Sequence, residues 1–160
     1  MAGRWRLDGG EMARRGFTLI ELMAVLGILA ILAVLATPLY TRYSVGSHRA
    51  MAQADLLRCA QGMERHASLR FSYRSAIDSD ADGVGDLDAG SVTPNVCTPA
   101  STQYRIDLVE SGIAGFLLRA SAARPGNAVD GDGDLALDEA GGRFWDRDGD
   151  GDFGPGEDRW

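Results

Sequence analysis

From Phe17 to Tyr40 the chain is apolar, broken by one charge, Glu21. As an α-helix at about 1.5 Å per residue this stretch would measure about 36 Å, enough to cross a bilayer core with some tilt. Beyond Tyr43 the pattern becomes amphipathic. Ala52, Leu56, Ala60, Met63 and Ala67 follow at three- and four-residue steps, a stripe suited to packing on a globular domain. The two patterns predict one long helix from residue 17 to about 74, half apolar (17–40) and half amphipathic (41–74). Pro38 is its main weak point and Gly27 and Gly46 lesser ones. From residue 75 the helical period lapses. Strand signals begin at Tyr104–Val109, which alternates, and continue in Gly115–Ala120, Leu135–Leu137 and Phe144–Trp145. Glu110–Ala114 reads as a hairpin connection, and Ser91–Thr102, with Pro94 and Pro99, as irregular chain. The expected fold is α+β: a long N-terminal helix packed on a small antiparallel sheet in a head spanning 75–160.

Arg14 and Arg15 stand immediately before the apolar run, and no arginine lies inside it. This asymmetry predicts a cytoplasmic N-terminal side and an exported remainder. A cleavable secretory signal would carry its small-residue break after a shorter apolar core. Here the small residue, Gly16, comes before the run.

Gly16-Phe17-Thr18-Leu19-Ile20-Glu21-Leu22 resembles the prepilin signature of type IV pilins and type II secretion pseudopilins. The resemblance is close over about the first third of the chain. It implies cutting between Gly16 and Phe17 by a prepilin peptidase, methylation of the new amine, residence in the inner membrane as a precursor, and passage through an assembly platform into a helical polymer of pilin subunits. It also implies a ladle-shaped subunit. Residues 1–16 are then a discarded leader; Met12, followed by Ala13-Arg14-Arg15-Gly16, would by itself open a leader of typical length. Glu21 becomes the fifth mature residue. A lone carboxylate among leucines costs about 2.5 kcal/mol or more in a membrane. Pairing it with the freed Phe17 amine of a neighbour would neutralise both groups and couple cleavage to assembly.

Charge sharpens the picture. The formal net charge is −7, and all sixteen basic residues are arginine. Loss of 1–16, with four arginines against Asp8 and Glu11, makes it −9. The acidity is local: residues 127–160 carry eleven acids against three arginines, and 78–88 carry five acids and no base. The rest of the mature chain is net +4, with Arg42, Arg49, Arg58, Arg65, Arg70 and Arg74 largely off the amphipathic stripe as a solvated or subunit-facing surface. An overall acidic chain argues against a nucleic-acid track, and no nucleic-acid partner is expected. Cys59 and Cys97 lie beyond the span, in a compartment that would favour a disulfide between them.

Three aspartate runs recur. Asp146, Asp148, Asp150, Gly151 and Glu157 fall at positions 1, 3, 5, 6 and 12 of an EF-hand calcium loop, with Asp152 offering a backbone carbonyl at 7. Pro155 and the absence of an exit helix depart from that pattern, leaving a calcium loop without the hand. Asp78, Asp80, Asp82, Gly83 and Asp86 are spaced as in thrombospondin type 3 calcium repeats, with Ala89 where an EF-hand glutamate would stand. Asp130, Asp132, Asp134 and Asp138 form the third set, with Leu135 in the glycine position and Gly141 in the glutamate position. Oxygen-only donors at every second residue suit a hard cation, so calcium is the expected ligand. The opposing reading of each run is a solvated acidic loop.

No glycine-elbow or metalloprotease arrangement is present, so an enzyme is not expected. The leading reading is a structural subunit, a minor pilin, of a bacterial type IV pilus. The neighbouring reading is a type II secretion pseudopilin, and a more distant one a membrane-anchored calcium-dependent adhesin.

Overall fold

A computed structural model describes residues 17–160. The described residues divide into two compact units, which meet between Leu39 and Tyr40 in sequence. Among the described residues one helix, α1 (Leu19–Arg70), is followed by five short strands: β1 (Gly90–Ser91), β2 (Tyr104–Ser111), β3 (Phe116–Ala122), β4 (Leu135–Asp138) and β5 (Arg143–Trp145). Within the first unit every described residue is exposed. That is the burial pattern of a helix whose apolar side chains are solvated by something other than its own domain, and the stretch is long and apolar enough to cross a membrane.

In the second unit the strands form one antiparallel sheet in the order β1-β2-β3-β4-β5. Consecutive strands are neighbours: β2–β3 and β4–β5 are joined by four-residue hairpins, and β1–β2 and β3–β4 by twelve-residue loops. Alternation fixes the register. Tyr104, Ile106 and Leu108 of β2, Phe116, Leu118 and Ala120 of β3, and Leu135 and Leu137 of β4 are all buried. The β2–β3 register shifts between Leu108 and Glu110, leaving Val109 as the extra residue of a bulge. These side chains join Ala52, Leu56, Cys59 and Met63 of α1, with Val92 and Val129 from the loops, in one core.

The buried face of α1 is centred one step away from the predicted stripe. Ala52, Leu56 and Met63 are on it, but Ala60 and Ala67 are only half-buried, while Asp55, Cys59 and Gly62 are fully enclosed. Gly62 has a steric reason: a Cβ there would collide with the carbonyl of Val96. Asp55 is buried because its Oδ2 accepts the N–H groups of Ala100 and Ser101, at 2.9 and 2.7 Å, and so ties the 97–101 loop to the helix. Cys59 and Cys97 form a disulfide with their Cα atoms 5.0 Å apart, in the usual range.

The helix ends at Arg70 rather than near 74. Phe71 takes a left-handed φ of 56°, which breaks the α ladder, and Tyr73 then donates its N–H to Gly112 of the β2–β3 turn. Pro38, Gly27 and Gly46 lie inside a helix that runs on through them. β1 was not legible in the sequence: two residues carry no alternation, and their pairing with Asp107 and Leu108 is a tertiary event.

Candidate functional site

The cleavage-site expectation involves Gly16, which lies outside the described residues, and Phe17, which is exposed. The helix begins directly after it. Thr18 acts as the N-cap: its Oγ1 accepts the N–H of Glu21 at 3.3 Å, and its carbonyl accepts that of Leu22. Glu21 therefore sits at the third helical position, a favourable place for negative charge at a helix N-terminus.

At the other end of the chain the loop after β5 gathers three carboxylates. Oxygens from Asp146, Asp148 and Glu157 all lie within 4.8 Å of one another. Asp146 is 3% exposed and Glu157 9%. The loop wraps round them through its own backbone: Gly149 and Gly151 donate to Asp146 at 2.7 and 3.0 Å, and Arg147 and Gly154 donate to Glu157 at 2.7 Å each. Trp145 N–H bonds to the Glu157 carbonyl, which zips the chain end onto β5. Among the described residues no arginine forms an ion pair with this cluster. Asp148 is pushed up: the Asp150 N–H pulls it down, but residual burial and the charges of Asp150, Glu157 and Asp146 outweigh that pull. Asp150 and Asp152 stay outside the cluster, the Asp150 carboxylate accepting the Asp152 N–H at 2.9 Å.

The first run also converges, bringing Asp78, Asp80 and Asp82 together. Asp78 Oδ2 accepts the Gly83 N–H at 2.8 Å, while its Oδ1 is buried without a hydrogen-bond partner. Asp86 is not in this group. It closes the loop instead, accepting the hydroxyl and N–H of Ser79 at 2.6 and 2.9 Å, bonds that lower its pKa.

The middle run is dispersed: among the described residues no three of its carboxylates converge. Asp130 accepts the Gly126 N–H, and Asp138 holds the β4–β5 turn through Gly142 at 2.6 Å. Asp134 faces Arg119 at 3.9 Å; burial pushes its pKa up, against the pull of Arg119 and with a push from Asp146. Asp132 takes two hydrogen bonds from Arg49 of α1 and one from the Tyr104 hydroxyl at 2.6 Å. Burial and the Asp132 charge raise Tyr104, and the hydrogen bond to Asp132 raises Arg49. Arg49 also lies over the Trp145 ring, 3.8 Å from its centre, and the indole N–H donates to the Asp132 carbonyl at 2.8 Å. Gly133, at φ 86°, lets the chain pass so close to Asp146 that a Cβ would strike its carbonyl.

So Arg49 is not the free surface arginine the sequence suggested, and Asp132 belongs to an α1–β2–β5 knot. No local motif signals this network, because its members come from four separated segments. The remaining arginines are distributed more openly. Arg105 and Arg124 line two adjoining clefts of about 280 and 320 Å³ that share Thr102, and Arg58 reaches the Thr98 carbonyl at their edge.

Two family comparisons bear on this arrangement. The prokaryotic N-terminal methylation motif matches residues 12–37, which include the helix start and Glu21. The family described as type IV minor pilin ComP, DNA uptake sequence receptor, matches residues 38–132. No curated protein and no solved structure matches the chain. The exposed apolar helix start fits a membrane-anchored precursor that becomes part of a surface pilus and associates with other pilus components. With more than half its length covered by the minor-pilin family and the processing motif directly before it, the chain belongs to the ComP type IV minor pilins.

Proposed function

We propose that this minor pilin is a calcium-stapled subunit, cleaved after Gly16, assembled through Phe17 and Glu21 against neighbouring helices, and closed at its C-terminus by a cation on Asp146, Asp148 and Glu157. The observation that carries the calcium reading is the pair Asp146 and Glu157: two enclosed carboxylates, with Asp148 beside them and, among the described residues, no arginine paired to any of the three. Removing such charges from water without a counter-charge is costly, and an oxygen-binding divalent cation supplies one. Asp78, Asp80 and Asp82 offer a second, more exposed set of the same chemistry. The test is the melting temperature of the soluble head (residues 44–160) in millimolar calcium and in chelator. Saturation at a hundred times the dissociation constant adds about 2.7 kcal/mol. Magnesium should substitute poorly, because it gives up its water shell reluctantly. Asp146→Ala with Glu157→Ala should remove most of the shift. An unmutated head that melts at the same temperature in both buffers refutes the staple.

The family's description as a DNA uptake sequence receptor gives a second reading. The expectation of no nucleic-acid partner rested on net charge, and the fold keeps that charge in particular loops. Arg105, Arg124 and Arg58 lie by the hydroxyl-rich clefts of Ser91, Thr93, Thr98, Ser101 and Thr102, a surface suited to phosphate contacts. The opposing fact is that Arg58 and Arg105 already face Asp55 and Asp107. Fluorescence anisotropy with labelled duplexes at low and moderate salt decides it. Binding that weakens in Arg124→Ala and falls steeply with salt supports a phosphate contact; no binding at low salt rejects it.

A further inference from the structure

Three exposed residues follow the apolar half of α1 at once: Tyr40, Arg42 and Tyr43, with Tyr40 and Tyr43 74% and 79% exposed. None of them belongs to the core of the head, whose first member on α1 is Ala52. Tyr40 and Tyr43 are three residues apart and so project from one side of the helix, whereas Arg42, two residues from Tyr40, projects from nearly the opposite side. A protein partner docking on one face would want them together. A girdle of two phenols and a guanidinium around the axis suits a layer that surrounds the helix. Tyrosine concentrates at membrane–water interfaces because its ring is apolar and its hydroxyl wet, and arginine extends to headgroup phosphates.

We propose that Tyr40, Arg42 and Tyr43 are the outer-leaflet anchor of the membrane-inserted precursor, with the lipid headgroup layer as their partner, and that they set its depth. The length fits. Residues 19–39 of α1 rise about 32 Å, close to the roughly 30 Å hydrocarbon thickness. With the outer end held at the headgroups, the other end falls at the inner headgroups. Glu21 stands only about 3 Å along the helix from Leu19, with Arg14 and Arg15 just before it in sequence. Its carboxylate is then at the wet inner interface in the precursor rather than in hydrocarbon, and Phe17 is held where a cytoplasmic-side peptidase meets it. Glu21 loses water only when the subunit leaves the bilayer for the fibre, so its need for a partner arises at assembly.

Full-length precursor in phosphatidylethanolamine–phosphatidylglycerol vesicles tests this. Single cysteines at Ala24, Ala30 and Ala36 can be spin-labelled without reduction, since the Cys59–Cys97 disulfide leaves no free thiol. Depth is read from the ratio of oxygen to nickel-chelate accessibility. The expected profile peaks at Ala30 and falls about equally towards Ala24 and Ala36. Tyr40→Ala with Tyr43→Ala should displace the peak by about one turn, roughly 5 Å, and Tyr40→Trp with Tyr43→Trp should keep it in place. A peak away from Ala30, or one that stays put in the double alanine variant, overturns the proposal; the latter result would assign the girdle to helix packing in the fibre.

Discussion

Replacing Asp132 by alanine should destabilise the head while leaving its calcium response intact. In the native head, Asp132 binds Arg49 in a two-point contact and accepts the Tyr104 hydroxyl, with side-chain exposures of 10% for Asp132 and 24% for Arg49. Breaking a buried pair by removing one member costs about 3–5 kcal/mol; because Arg49 keeps some water and stays stacked on Trp145, about 2–3 applies here. Tyr104, 2% exposed, is left with a hydroxyl deprived of its acceptor, worth about another 1–2 kcal/mol. The total, about 3–5 kcal/mol, is a large share of the roughly 5–15 kcal/mol that holds a domain together. For a head of this size it corresponds to a fall in melting temperature of about 10–20 °C. Urea unfolding of the soluble head followed by the fluorescence of Trp145 and Trp160 gives the free energy, and a double-mutant cycle with Arg49→Ala isolates the pair. Asp132→Asn, which keeps the shape and one acceptor, should lose less than half as much. A loss below about 1 kcal/mol would mean that the contact is an ordinary surface ion pair. Loss of the calcium shift in Asp132→Ala would mean that this run binds the ion after all.

Further outcomes are expected at the helix start and the disulfide. Glu21→Ala should leave membrane insertion intact and reduce incorporation into sheared fibres, because only the subunit–subunit charge pair is removed; undiminished incorporation rejects the pairing. Gly16→Val should leave a full-length precursor on a gel, and a mature-sized band would place the cut elsewhere. Native head should take up thiol reagent only after reduction, and Cys59→Ser with Cys97→Ser should cost about 4 kcal/mol from restored freedom of the unfolded loop. Equal unfolding midpoints for the oxidised and double-serine proteins would contradict this.

Much of the molecule was legible in the sequence because its determinants are local. An apolar run of bilayer length, a helical stripe and a two-residue alternation each declare themselves within a short window, so α1 and the strands β2 to β5 were expected near where they occur. The processing motif is likewise linear, and matches a family on its sequence alone. The 146–157 loop was readable for the same reason: Asp146, Asp148 and Glu157 are spaced so that one turn of chain brings their oxygens together.

What the sequence could not decide was which charged residues have partners. Asp132 and Asp148 occupy equivalent places in similar aspartate–glycine runs, yet one meets Arg49 from α1 and Tyr104 from β2, while the other stays with Asp146 and Glu157 of its own loop. Asp55, a charged residue of α1, is enclosed only because the 97–101 loop folds over it. Gly62 had no reading in the sequence; Val96, packed against it, is what demands a glycine there. For Asp132, Asp55 and Gly62 the deciding neighbours lie 28 to 83 residues away in the chain. Local pattern sets which elements form and which way they face; only close packing between distant segments determines whether a carboxylate is a structural tie, a solvated charge or a waiting cation ligand.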